Sequence, residues 1–128
     1  MPDPSPVSLY ERAGWMPFFE DLVGRFYAGV ATDPVLRPLY PEADLAPAQR
    51  RLTLFLAQYW GGPRTYDDER GHPRLRMRHA PFPIDAAARD HWLVLMRAAL
   101  AEAAPPPDVA AELDRYLEMA ADAMRNRP

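Results

Sequence analysis

Three histidines, His72, His79 and His91, are the side chains best suited to hold a metal or move a proton. Their spacing narrows the chemistry. His72 and His79 lie seven residues apart with Pro73 between them, and His91 falls in a different segment. No two of them form the i, i+4 pair that presents two imidazoles to zinc from one helix face. No serine adjoins a histidine, and neither a Gly-x-Ser-x-Gly nor a glycine-rich phosphate loop is present, so nucleophilic hydrolysis lacks its parts. The absence of cysteine removes disulfides, thiolate zinc sites, thiolate-held iron–sulfur clusters and cysteine nucleophiles together. What remains is a metal that needs a single protein ligand because its cofactor supplies the rest. Haem iron meets that description, with four porphyrin nitrogens, one histidine and an open position for a small gas. His79, at the end of "RLRMRH" and just before Ala80 and Pro81, is the candidate ligand; a capping or surface imidazole is the alternative. Arg78 and, across the pocket, Arg51 would give the haem propionates charge-assisted partners.

These residues must be positioned by helices, because helical periodicity dominates wherever a pattern is visible. Phe18, Leu22, Phe26 and Val30 recur every four residues between Pro17 and about Ala31. The prolines of "DPVLRPLYPE" restrict residues 34–40 to a tight turn. Pro47 opens a helix with Ala48, Leu52, Phe55 and Tyr59 on one face, and "GGP" at 61–63 ends it. The stretch "GGPRTYDDERGHP" from Gly61 to Pro73 reads as a long loop. "RLRMRHA" is then one short helical segment. Asp85 is placed to N-cap the next helix, whose apolar face runs Trp92, Leu95, Met96, Ala99 and Leu100. After "APPPD", a last helix from about Asp108 to Met124 shows Val109, Leu113, Tyr116, Leu117 and Ala120. With no hairpin signal and no repeat, the expected fold is all-α.

The bulk numbers agree with one domain. The chain has 128 residues, 48% of them hydrophobic, enough for a single sizeable core. A formal net charge of −3 argues against nucleic-acid binding. "WLVLMRAALA", the most apolar run, is interrupted by Arg97 and is too short for a membrane span. "MPDPSPVS" carries neither a basic segment nor an apolar run and so does not read as a signal peptide. A soluble, cytoplasmic protein is expected.

"RFYAGVATDPVLRPLYPE", "FLAQYWGGPRTYDDERGHPRLRMRHAPF" and "RDHWLVLM", in this order, resemble a group II truncated haemoglobin of the bacterial O type. The resemblance spans Leu9 to about Met124, and the middle block is the specific part. It implies a two-over-two helical sandwich enclosing haem b, with a very short proximal helix preceded by a long loop. His79 matches the proximal iron ligand. Tyr27, Tyr40 and Trp92 match polar residues on the distal side, where O2, CO or NO would sit; read from the sequence alone, Tyr27 and Trp92 are equally ordinary core aromatics. Ala48 matches the position where many globins hold a distal histidine, and Leu52 projects over the haem one turn later, with Phe55 and Tyr59 continuing that face. Leu75, Met77 and Phe82 are either the apolar wall around His79 or plain core. Arg51, Arg78 and Tyr66 are the expected propionate contacts. Arg64, Arg70, Arg74 and Arg76 are expected in solvent or paired with Asp67, Asp68 and Glu69. Two features depart from the family. Residues 1–8 precede its usual start and read as a flexible lead-in to a globin domain at 9–128. Its early turn is often Gly-Gly, whereas this chain reads "AGWM", with Trp15 in the second place.

The functional expectation is reversible O2 binding at five-coordinate ferrous iron, with release slowed by the three distal donors. A rival of the enzyme class is NO dioxygenation or peroxide consumption. Either turnover needs a separate reductase, since no flavin or nicotinamide motif is present. A rival of the interaction class is a cofactor-free helical module whose basic turn meets an anionic partner. A homodimer is the other association left open.

Overall fold

The structure is a computed structural model that describes residues 7–128. Most of the expected lead-in, residues 1–6, lies outside the described residues. Ser8 belongs to the first helix: its hydroxyl caps α1 (Leu9–Ala13) by accepting from the Glu11 amide at 3.2 Å. The described residues then form α2 (Trp15–Val30), a 3₁₀ turn at Arg37–Leu39, α3 (Ala46–Tyr59), α4 (Thr65–Arg70), α5 (Leu75–His79), α6 (Ala86–Ala103) and α7 (Pro107–Met124). They include no strand.

The four-residue repeat of α2 becomes its buried stripe. Phe19, Leu22, Val23, Phe26 and Val30 are fully enclosed. They pack against α3 on one side and α6 on the other, and α6 packs in turn on α7. That is the two-over-two sandwich. Met96 of α6 and Val109, Leu113 and Leu117 of α7 complete the core. Asp85 caps α6 by accepting from the Ala88 amide at 2.9 Å, and Pro107 opens α7 from a first-turn position that needs no amide hydrogen. No helix of the described residues is long and apolar enough to cross a membrane.

Two elements differ from the sequence expectation. α1 is additional, held by burial of Leu9 and Tyr10 and by exposed ion pairs from Arg12 to Asp108 and Glu112 of α7 at 2.6 and 2.7 Å. The connector between α3 and α5, read as continuous loop from Gly61 to Pro73, contains the six-residue helix α4. Its support comes from elsewhere in the chain: the Gln58 side chain donates to Asp67 Oδ1 and accepts from the Asp67 amide, both at 2.9 Å, and Tyr66 is buried. Asp67 and Asp68 also favour the positive end of the helix. Gly71, at φ 75°, turns the chain out of α4 in a conformation that L side chains rarely adopt.

Candidate functional site

The helices surround a cavity of about 500 Å³, within the range of small-molecule and cofactor sites. α2 contributes Tyr27, the corner after it Leu36, Leu39 and Tyr40, and α3 Ala48, Arg51, Leu52 and Phe55. Tyr66, Leu75, Arg78, His79 and Phe82 come from the connector and α5, and Trp92 from α6. Residues scattered from position 27 to 92 thus meet around one mostly apolar space.

His79 is the last residue of α5, whose five residues include none that is buried. Polar bonds hold it instead. Its Nδ1 lies 2.6 Å from the Leu75 carbonyl one turn back, which accepts a hydrogen; Nδ1 therefore carries the proton and Nε2 presents its lone pair. Asn126, from the segment after α7, donates to the carbonyls of His79 (3.2 Å) and Phe82 (2.9 Å) and accepts from the Ile84 amide (2.9 Å). Arg78 Nη2 donates to the carbonyls of Arg70 (3.0 Å) and His72 (3.4 Å), yet its Nε is buried without a partner. A buried guanidinium N–H left unpaired at a cavity wall is costly unless an acceptor arrives from the cavity.

A second cluster is aromatic. The Phe26 ring meets Tyr27 at 5.0 Å and Trp92 at 5.6 Å between centroids, and Tyr27 meets Tyr40 edge-on at 5.6 Å. The Tyr27 and Tyr40 hydroxyls are 3.5 Å apart, looser than an ordinary O–H···O bond. Trp92 Nε1 has no acceptor among the described residues. Burial first, and then the neighbouring Tyr40 hydroxyl, pushes the Tyr27 phenol well above its ordinary range; burial likewise raises Tyr40. Both phenols stay protonated, so three side chains that line the cavity, Tyr27, Tyr40 and Trp92, each carry a polar hydrogen, that of Tyr27 lying loosely toward Tyr40. The corner carrying Tyr40 is fixed by Asp33, which accepts from the Val35 and Leu36 amides at 2.9 and 2.8 Å and contacts His91 Nδ1 at 3.0 Å. Arg37 adds donations to the carbonyls of Tyr40 (3.0 Å) and Glu42 (2.9 Å).

Two expected pocket residues lie elsewhere. Met77 is 60% exposed: on a helix turning 100° per residue it faces away from Leu75 and His79, which share a face four positions apart. Tyr59 is 50% exposed and packs against Tyr116 instead of lining the cavity, because the last turn of α3 runs past the cavity's edge. Arg51 lines the cavity with its guanidinium 3.4 Å from Glu42. Arg70, expected in solvent or paired with an acidic neighbour, is exposed and also borders the cavity. Arg89, Tyr116, Leu117, Ala121 and Met124 line the cavity without having been singled out for it. The apolar face of α7 was legible, but the same face serves both core and cavity, so periodicity could not separate the two. Arg89 is tied to Asp122 at 2.7 Å and Asp90 at 2.9 Å, pairings that no spacing rule reveals.

The donor set fits a haem: an imidazole whose Nδ1 is bonded and whose other nitrogen is free, apolar walls, and an unpaired cationic N–H of Arg78 for a carboxylate. His79 would hold the iron, with Arg78 and Arg51 at the acidic edge. The described residues contain no cluster of three or more His, Cys, Asp or Glu that could bind a bare ion.

The sequence model of the bacterial-like globins matches residues 8–126. The chain is 40% identical to the group 2 truncated hemoglobin YjbI of Bacillus subtilis over 118 residues, which cover 92% of this chain and 88% of that protein. It is also similar to the solved thermostable hemoglobin of the actinobacterium Thermobifida fusca, at 57% identity and a TM-score of 0.93, covering 95% of this chain and 99% of that one. The truncated oxygen-avid haemoglobin of Bacillus subtilis superposes with a TM-score of 0.88 at 39% identity, covering 94% of this chain and all of that one (100%).

Proposed function

Because the chain belongs to the bacterial-like globins, as a truncated haemoglobin of group II, we propose that it holds haem b through His79, binds O2 and other diatomic ligands reversibly, and releases O2 slowly. When bound, the haem supplies a ferrous iron with one open position for a small gas. The remaining work falls to the chain. His79 presents Nε2, its orientation set by the Leu75 carbonyl at 2.6 Å. Arg78, and Arg51 beside Glu42, offer the N–H groups that suit propionates.

The observation that carries slow release is the trio Tyr27, Tyr40 and Trp92 in one cavity, with protonated phenols and no tight bond among them to satisfy these donors. A ligand oxygen with partial negative charge is the acceptor the trio lacks. The oxygen-avid description of the Bacillus subtilis structure points the same way. Such tight holding suits sensing or chemistry better than bulk transport.

The test is an absorption spectrum of the purified protein, read oxidised, after dithionite and after carbon monoxide. A Soret band that shifts at each step and is lost or altered in His79→Ala is the expected result. No Soret band after hemin addition, or an unchanged ferrous spectrum in His79→Ala, overturns the reading.

A further inference from the structure

Asp33 and His91 stand behind the cavity without lining it, and they join two elements that carry ligand donors. The Asp33 side chain, 12% exposed, sits in the corner after α2. Its Oδ1 accepts from the Val35 and Leu36 amides, and its backbone carbonyl accepts from the Arg37 amide at 3.0 Å. These bonds start the 3₁₀ turn that delivers Tyr40. From the other side, His91 Nδ1 reaches both carboxylate oxygens, at 3.1 and 3.0 Å, and His91 directly precedes Trp92 on α6. With a carboxylate as partner Nδ1 donates, whichever charge state the ring has. The His91 bond and the two amides hold the Asp33 carboxyl below its ordinary range, so the acceptor is the charged form. Tyr40 and Trp92 have no ring contact among the described residues; Tyr40 meets Tyr27, and Trp92 meets Phe26. Among those residues, the Asp33–His91 pair is the one hydrogen-bonded link between the corner, residues 31–45, and α6.

Resting on the proposed haem and its ligand, we infer that His91 is a positioning residue: through Asp33 it clasps the corner that carries Tyr40 onto the helix that carries Trp92, and so sets how tightly a ligand oxygen is held between the two. An oxygen shared by two donors needs both within hydrogen-bond distance at once, which depends on the spacing of the two elements and not on either ring alone. The spacing of α2 and α6 is fixed by packing, with Leu95 only 2.9 Å from where a Cβ on Gly29 would stand. The corner leaves that packed pair after Val30 and returns to the cavity at Tyr40. Arg37 bonds to the carbonyls of Tyr40, Glu42 and Ala43, all within the corner, so it shapes the corner without tying it to a helix. Leu36 packs the corner on the core; the directional tie is the bond from His91. The pair of Arg25 on α2 with Glu102 on α6, at 2.9 Å, supplies the contrast. It joins two helices in the same way, but in an exposed place and with no part of the corner, so its loss leaves the donors where they are.

The experiment uses hemin-loaded protein, its Soret band verified. O2 release is timed by displacement with CO, and the ferrous–CO form gives the C–O stretching band, which a donor at the ligand lowers. His91→Leu, and His91→Ala as a second removal of the donor, should release O2 several-fold faster than the parent and raise the C–O band. His91→Asn, whose amide nitrogen stands close to the place of Nδ1, should restore most of both. Glu102→Ala should change neither. In a Tyr40→Phe background His91→Leu should change the rate by less than about twofold, because the donor that it positions is gone. Parent rates in both His91→Leu and His91→Ala, an undiminished acceleration in the Tyr40→Phe background, or an equal acceleration in Glu102→Ala overturns the clasp. A chain that takes up no hemin, or whose O2 release Tyr40→Phe itself leaves untouched, overturns the proposed function with its distal trio, and the clasp falls with it.

Discussion

The aromatic side of the cavity and the turn that carries His79 are built by opposite means. Tyr27 and Trp92 are mounted on helices of 16 and 18 residues, α2 and α6, whose faces interlock through Phe19, Leu22, Phe26 and Met96. Their geometry is set by burial, and moving one ring disturbs many contacts. His79 stands on five residues with none buried, fixed by hydrogen bonds from its own turn, from Arg78 and from the distant Asn126. A segment held by a few partly exposed bonds opens at low cost, whereas a packed helix pair opens only with the domain. The proposed donors to a ligand are thus rigid, while the proposed iron ligand rides on a compliant mount.

If rigidity of the aromatic side is what slows release, removing one fixed donor has the largest effect. Trp92→Leu deletes the indole N–H while keeping an apolar side chain. A hydrogen bond to a charged acceptor is worth about 1.5–3 kcal/mol, so the O2 dissociation rate should rise by roughly one to two decades. Stopped-flow displacement of O2 by CO measures it. A rate within a factor of about two of the parent, on the scale where 1.4 kcal/mol is a decade, would remove Trp92 from the account.

The opposite mount is probed through Asn126, which no sequence feature marks. Asn126→Ala removes the side-chain donations to His79 and Phe82 and the acceptor for the Ile84 amide. These bonds are exposed, so the loss is about 1 kcal/mol, which corresponds to roughly fivefold faster amide exchange at Ile84 and faster loss of hemin to apomyoglobin. Exchange in the α2 core should not change. If Ile84 keeps its protection, or if α2 loosens with it, the contrast between the two sides is wrong.

The same contrast explains what the sequence discloses. Elements held by their own apolar faces are legible: Phe18, Leu22, Phe26 and Val30 announce α2, and Asp85 announces the start of α6. Elements held by partners far along the chain are not. α4 depends on Gln58, and the α5 turn on Asn126, contacts for which spacing gives no signal. Met77, whose apolarity suits either pocket wall or core, is neither: two positions from Leu75 on a short helix, it faces the other way, into solvent. The placement of Tyr59 follows helical periodicity up to the final turn, where the cavity ends and Tyr116 takes over.

The smallest expected effect concerns Trp15, which stands in the second place of a turn that is often Gly-Gly in the family. Its φ is 65°, in the left-handed region, directly after Gly14 at φ 123°. A non-glycine residue there costs about 1–2 kcal/mol in backbone strain, offset in part by the edge-on contact of the indole with Tyr10 at 5.7 Å. Trp15→Ala keeps the strain and loses the contact; Trp15→Gly loses both. The glycine variant should therefore exceed the alanine variant by about 1 kcal/mol, roughly 3–5 °C in Tm for a domain of this size. Neither should alter the Soret band, because Trp15, at the start of α2, does not line the cavity and its indole packs on Tyr10 of α1. An alanine variant as stable as the glycine one would mean that the turn relaxes to negative φ without its indole, and that Tyr10 packing, not the backbone, sets the start of α2.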